Sequence, residues 1–431
     1  MRIGIRLTEH HLVGAAVLSA GMMRTALVRI GSAGMAAALT QLTADLSLGR
    51  PATIESVTVD ISGALQPPQQ PPMVLVRIAP RPPADAAHEA RPPALPAAAL
   101  VHCRGGHSCL GDELVAFDAA ALGTAAAQLP PACRWVITGV GSLMNPQHER
   151  TAGRLLLARA RPASIAYSHS FASHSFAVRE HTAALNAALS PQAERIGMAL
   201  IDALGAAIPR ERLYAVTSDG GCVPVQTLVS APVHALAATR AAALYGAAAL
   251  SGVTSGSVAV LDGERTLLGN TSGGVLAVQP SLRTGPEAVV ASAAAQHQVL
   301  PESQPLPPGC PQVTDRWLDR FSSAATAEAE GADITPRAGA VALLGIAIAP
   351  LSAGVYQTVV LRGRGCAEDA LSDAEARVRA RLVSYGAASA DVSIVERRVT
   401  TGSYQHPRVV SVRVRGVAGR GLSDAWSSHA A

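Results

Sequence analysis

A chain of 431 residues, 49% hydrophobic and 15% charged with a net charge of +4, is long enough to bury several cores and too mildly basic to be built around nucleic acid. Aromatic residues make up only 3%, so the core must come from many small contacts, and a stacking surface for single-stranded nucleic acid is excluded. All 35 basic residues are arginine, which rules out a Walker-type phosphate lysine, a Schiff base, a pyridoxal-phosphate attachment and a lysine base.

The opening residues read as strands over 2–8, 11–19 and 24–30, a helix over 34–46 and a strand over 54–62, a βββαβ order. Arg2 and Arg6 within the first strand argue against a signal peptide. PPQQPP (67–72) and PRPPADAAHEARPPALP (80–96) then bracket a short apolar strand, MVLVRI (73–78), and read as loops. Alanine-rich stretches over 182–207 and 233–250 have helical spacing. Three further strands follow at 257–262, 265–270 and 274–279, and PESQPLPPGCP (301–311) marks a boundary.

Residues 338–361 carry no charge and are long enough to suggest a membrane span. Pro350, the interior glycines and Gln357 favour instead two buried strands joined by a turn. A helix over 373–387 and strands over 391–399 and 408–416 close the chain, with a frayed tail after Gly421. The arginine clusters at 377, 379, 381 and at 397, 398 read as solvated faces. The six cysteines lack the dense spacing of a secreted scaffold, so a reduced, cytoplasmic setting is expected. Two three-stranded runs in one chain suggest a duplicated α/β core with a cleft between its halves.

The passage GVGSLMNPQHERTAGRLLLARARPASIAYSHSFASHSFAVREHTAALNAALSP (139–191) is the most specific signal. Asn145-Pro146 suits a helix start, with His148 and Glu149 in the first turn. Asn145-Pro146-Gln147-His148-Glu149, Ser168-His169, Arg179-Glu180, Thr182, Asn186-Ala187 and Pro191 together resemble the hydantoinase A and 5-oxoprolinase family. The likeness continues through Ser218-Asp219-Gly220-Gly221, where asparagine is usual at 219, through Ser230-Ala231-Pro232, where glycine is usual at 231, and through 385–402. The resemblance implies an actin-like, ribonuclease H-like duplicated α/β core with a small C-terminal α/β segment. It also implies ATP-coupled opening of cyclic amides or carboxylation of ketones, with a hydantoinase B-like partner subunit, in an oligomer. The expected segments are 1–150, 151–335 and 336–431.

In such a family the first phosphate loop is Asp-x-Gly-Gly-Thr-x-Thr-Asp, whose glycines let backbone N–H groups reach the phosphates. Here Arg6 holds the aspartate position, followed by Leu7, Thr8, Glu9 and His10. In the second unit Asp262-Gly263 is followed by Glu264-Arg265-Thr266. Weak or absent ATP binding is expected. Asp262 would face a cation or simply close an Asp-Gly turn.

A polar turn after a buried strand is where α/β sheets place ligands. Ser218, Asp219, His148 and Asp262 are therefore the catalytic candidates for a small-molecule substrate, and Gly220 and Gly221 the cofactor-binding ones. His102, Cys103, His107 and Cys109 lie within eight residues of sequence. With His148 they are candidate ligands for zinc or magnesium, His102, His107 and His148 foremost, against the plainer reading of buried cysteines and a turn-capping histidine. The serine and histidine neighbours at 168–175 lack a Gly-x-Ser-x-Gly elbow and do not read as a triad.

Overall fold

The computed structural model describes residues 1–18, 23–47, 54–66, 72–81, 97–205, 208–262, 265–285, 288–301, 304–314, 340–361, 366–401, 406 and 408–419, with only the backbone of Asp262 and Cys366. Both proline-rich loops, the 263–264 turn and the tail after Gly421 fall wholly or largely outside them.

In chain order the first unit runs β1 (Arg2–Thr8), β2 (His11–Val17), β3 (Met23–Arg29), α1 (Gly34–Ser47) and β4 (Ser56–Gly63). A second group follows: β5 (Met73–Ala79), β6 (Ala97–Arg104), α2 (Ala119–Gln128), β7 (Arg134–Gly139), α3 (Gln147–Arg159) and β8 (Ser164–Tyr167). The long α4 (Phe176–Leu204), then β9 (Leu213–Val216), β10 (Cys222–Pro224), α5 (Val225–Ser230) and α6 (Ala238–Ser251) return the chain to the first unit. Then come β11 (Gly256–Asp262), β12 (Arg265–Ser272), β13 (Val275–Leu276), β14 (Val278–Gln279), β15 (Leu282–Arg283), β16 (Val289–Val290), β17 (Ala294–Ala295), β18 (His297–Pro301) and β19 (Gln312–Thr314). The chain closes with α7 (Val341–Ile348), β20 (Leu351–Val360), α8 (Cys366–Ser384), β21 (Val392–Thr401) and β22 (Val409–Ala418).

The main sheet has nine strands in the order β21-β22-β20-β10-β9-β4-β1-β2-β3. β1 pairs antiparallel with β2 and parallel with β4, and β4 pairs parallel with β9. The smaller sheet around β11 repeats part of this arrangement, with β12 antiparallel and β19 parallel to β11. β5 to β8 form a separate all-parallel sheet in the order β6-β5-β7-β8. The sheets therefore do not follow the expected boundaries. Strands from residues 2–63, 213–224 and 351–418 share one sheet, because the edge of β10 is open to β20.

β1 is buried along most of its length because it is covered on both faces. Ile3, Ile5 and Leu7 belong to one buried cluster with Leu39 and Leu42 of α1 and Leu189 of α4. On the opposite side, α7 comes so close that a Cβ on Gly4 would meet the Leu343 carbonyl oxygen at 2.5 Å. Helix α7 corrects the expectation of two strands over 338–361: residues 341–348 are helical and only 351–360 are a strand. Every α7 residue is buried, so VALLGIAI shows no polar stripe and its period is invisible in sequence. Among the described residues no helix is long and apolar enough to cross a membrane.

Candidate functional site

The main sheet opens at its middle. β20 runs alongside β22 for its full ten residues but meets β10 at a single pair, Cys222 with Leu351. Beyond that pair the strands diverge, and a cavity of about 940 Å³ lies between them. Its walls come from the 170–178 loop, α5, residues 280–293, β20, β22 and one side of α8. Phe171, Val178, Val223 and Leu228 supply apolar surface, while Arg377, Arg381 and Arg413 supply charge.

Asp219 lies at the floor, after the carboxyl end of β9. Its Oδ1 accepts from the Thr217 hydroxyl (2.5 Å) and the Gly221 N–H (3.1 Å), and its Oδ2 from the Ser352 hydroxyl (2.6 Å) and Arg415 Nε (3.0 Å). Arg415 also donates to the carbonyls of Asp219 and Leu276. Burial acts to raise the Asp219 pKa, but the Arg415 charge and the hydrogen bonds from Ser352, Thr217 and Gly221 outweigh it, holding the group below its ordinary value. It is a fixed carboxylate with no capacity left for base catalysis. His234 completes the floor, bonding through Nδ1 to the Ser292 hydroxyl at 2.9 Å, with burial lowering its pKa.

Ser218 does not line this cavity. It is fully buried: its hydroxyl accepts from Ala237 N–H at 3.0 Å and its carbonyl from Ala295 N–H at 2.7 Å. Ser218 is thus a joint between the main sheet and residues 294–297, where no substrate reaches a nucleophile. Gly220 has φ +83°, and a Cβ there would meet Leu276 Cδ1 at 2.6 Å. A Cβ on Gly221 would collide with Ser352. Both glycines permit close packing of the turn. The backbone of Asp262 ends β11 opposite Arg265, and its side chain lies outside the described residues.

The histidine candidates sit elsewhere, at the parallel sheet. His148, in the first turn of α3, accepts from Gly106 N–H through Nδ1 (2.9 Å), which leaves Nε2 to donate to Glu113 Oε1 (2.9 Å). Both ring nitrogens are engaged in holding the 105–113 loop. His107 is buried, with its ring centroid 4.1 Å from that of His148. His102 lies on β6 beside the buried Cys103, whose thiol is pushed up to about 12 by burial and by Asp118. Among the described residues no three His, Cys, Asp or Glu side chains are grouped to hold a metal ion. A smaller cavity of about 250 Å³ is lined by His107, Cys109, Met144, His174, Arg179 and Thr358, among others.

The remaining motif residues are joints as well. Asn145, one residue before the Pro146 N-cap of α3, accepts from Gln147 N–H at 3.1 Å. Glu149 is fully buried and accepts from Gly139 N–H (2.8 Å), the Ser168 hydroxyl (2.7 Å) and His169 N–H (3.1 Å) and Nδ1 (2.6 Å). Burial would raise its pKa, and the bonds from His169 and Ser168 bring it below the ordinary value. Arg77 and Glu180 form a buried bidentate pair, with Nη2 to Oε2 at 2.6 Å, tying the parallel sheet to α4. Thr182 accepts from Ala291 N–H, and Asn186 from Val233 N–H.

At the first hairpin, the Thr8 hydroxyl closes its own turn, accepting from His11 N–H and donating to His11 O, both at 3.1 Å. At the neighbouring end of β4, fully buried Asp60 hydrogen-bonds Thr239 at the start of α6 and accepts from Ser62 N–H at 2.9 Å.

No family model matches the chain, and no curated protein matches it in sequence. Solved structures do match. Nucleotide-free acetone carboxylase, described in terms of ATP-dependent acetone carboxylation, superposes with a TM-score of 0.67 at 10% identity, over 97% of this chain and 88% of its own. The ATP-dependent caprolactamase from Pseudomonas jessenii superposes with a TM-score of 0.64 at 15% identity, over 97% and 87%. The chain shares their mixed α/β fold. At such identities the likeness is one of fold, and the chemistry must be argued from this chain's own residues.

The site residues that sequence reasoning missed are Ser352, Arg413, Arg415 and His234. Arg413 and Arg415 alternate with buried valines along β22, which places both on one face of a strand, and that was the available signal. Arg377 and Arg381, expected on a purely solvated face, stand at the cavity mouth.

Proposed function

We propose that this chain is a divergent member of the hydantoinase A and 5-oxoprolinase family, with a duplicated actin-like core, that takes a small cyclic amide or related carbonyl compound into the cavity over Asp219. The observation that carries this reading is the cavity itself: about 940 Å³, part apolar and part polar, at the split in the sheet just beyond the carboxyl end of β9. The two fold relatives are named for ATP-dependent chemistry on a ketone and on a lactam, the two reaction classes implied by the sequence resemblance. The repeated arrangement around β1 and β11 supports the duplicated core.

The same reading has the chain binding ATP weakly or not at all by itself. The Thr8 hydroxyl closes the first turn where a glycine pair would leave amides pointing outward, and Asp60 sets a carboxylate at the start of α6, where a phosphate would otherwise find the helix N-terminus. A hydantoinase B-like partner subunit would complete any reaction.

A second reading, a non-catalytic scaffold or small-ligand sensor, is favoured by the saturated hydrogen bonding of Asp219. Calorimetric titration with caprolactam, with Ala293→Trp as a cavity-filling control, tests the binding step, and turnover with ATP in the presence and absence of the partner tests the reaction. Binding abolished by Ala293→Trp is expected. Binding unaffected by that variant would remove the cavity from the account, and binding without turnover in either assay would leave the sensor reading.

A further inference from the structure

The charges around the cavity are unequal. Among the described residues Asp219 is its one acidic lining residue, and that charge is already held by Arg415. Against it stand Arg377, Arg381 and Arg413. Arg381 Nη1 donates to the Gly354 carbonyl at 2.9 Å and Arg377 Nε to the Asp373 carbonyl at 3.2 Å; among the described residues neither faces a carboxylate. Arg413 lies over the Tyr356 ring, 5.3 Å from its centroid, and approaches Glu396 Oε1 at 3.3 Å. Its Nε and Nη2 are buried and make no aligned hydrogen bond among the described residues, so Glu396 is a charge contact of Nη2 only.

The register brings these groups to one place. Tyr356 is paired with Arg413 across β20 and β22, and Gly354, whose carbonyl holds Arg381, is two residues away on the same strand. Counting Arg415 and Glu396, four guanidinium groups meet two carboxylates. Buried guanidinium N–H groups that make no hydrogen bond are costly, and a bidentate carboxylate is the partner that their planar fork fits. The apolar wall from Phe171, Val178, Val223 and Leu228 suits a hydrocarbon body over a heavily hydrated phosphate.

We infer that the cavity binds an organic carboxylate, its anionic group at Arg413 and Arg381 and its apolar body against the 171–178 and 223–228 walls. This inference rests on the cavity assigned above and names the charge of its ligand.

The test titrates the full chain at low salt with cyclohexanecarboxylate, the neutral isostere cyclohexanecarboxamide and inorganic phosphate. Carboxylate is expected to bind about tenfold more tightly than either of the others, with the preference shrinking as salt rises. Arg413→Gln should remove that preference while leaving carboxamide affinity within about twofold, and Arg381→Gln, at an exposed position, should reduce it by about threefold without loss of fold. Equal affinity for the acid and the amide, tighter binding of phosphate, or no saturation by carboxylate up to about 10 mM would each overturn it. Carboxylate preference without caprolactam binding keeps this inference and drops the lactam reading. Caprolactam turnover with no carboxylate preference does the reverse.

Discussion

Arg415 and Asp219 decide whether the cavity floor exists. The pair is buried, and removing one partner strands a charge away from water, so Arg415→Met should destabilise the chain by about 3–5 kcal/mol in urea unfolding, while the double variant Asp219→Asn/Arg415→Met recovers part of that loss. Simple additivity of the two single losses would contradict the pairing. The sequence showed Asp219 as an oddity at a position where asparagine is usual, but its partner lies 196 residues away, a separation no local pattern reveals. His148 was legible as a residue of the first turn of α3, while its engagement by Gly106 and Glu113 depends on how β6 and α3 come together.

The pH dependence belongs to the same scale. Asp219 and Glu149 have folded pKa values below their ordinary 3.8 and 4.5, so their stabilisation is complete above those values and is lost as acid carries the pH down through the folded ones. Buried His181 and His234 are lowered from 6.5 by desolvation, so the unfolded chain takes up more protons than the folded one once the pH falls below 6.5. Stability measured by denaturant midpoint should therefore be level between about pH 6.5 and 8, and on acidification decline first with the histidines and steepen below about pH 4.5. A chain more stable at pH 5 than at pH 7 would contradict these assignments.

Among the elements, α6 and α7 cross at Gly246 and Gly345, so closely that a Cβ on Gly345 would collide with the Ala242 carbonyl. Alanine would gain about 1 kcal/mol in helix propensity, but overpacking costs about 1–3 kcal/mol, so Gly345→Ala should lower the urea midpoint. A rise in that midpoint would show that the helices can part. The strands, which alternate or pair locally, were legible: β1 to β4, β21 and β22 lie within a few residues of their sequence-based bounds. Helix α7 was not, because burial on all sides erases the periodicity that identifies a helix.

At the scale of the whole molecule, the sheets are set by contacts that sequence order hides. The expected C-terminal segment joins the main sheet through β20, and the gap this leaves beside β10 is the cavity. The family-like passage at 139–191 is mostly a set of joints: Glu149 with His169 and Ser168, Arg77 with Glu180, and Thr182 and Asn186 with residues 230–291. Opening the Arg77–Glu180 joint with Glu180→Gln should loosen the parallel sheet from α4 and raise amide hydrogen exchange across β5 and β7; unchanged exchange would make the pair incidental.

Calorimetric titration of the full chain with ATP and Mg²⁺ bears most directly on the proposal that the cavity holds a small carbonyl ligand while the chain does not grip a nucleotide. No saturable heat at micromolar nucleotide is the expected result, with caprolactam or a carboxylate still bound. A micromolar ATP affinity that Thr8→Ala or Asp60→Asn alters would place the triphosphate at the first hairpin and contradict it.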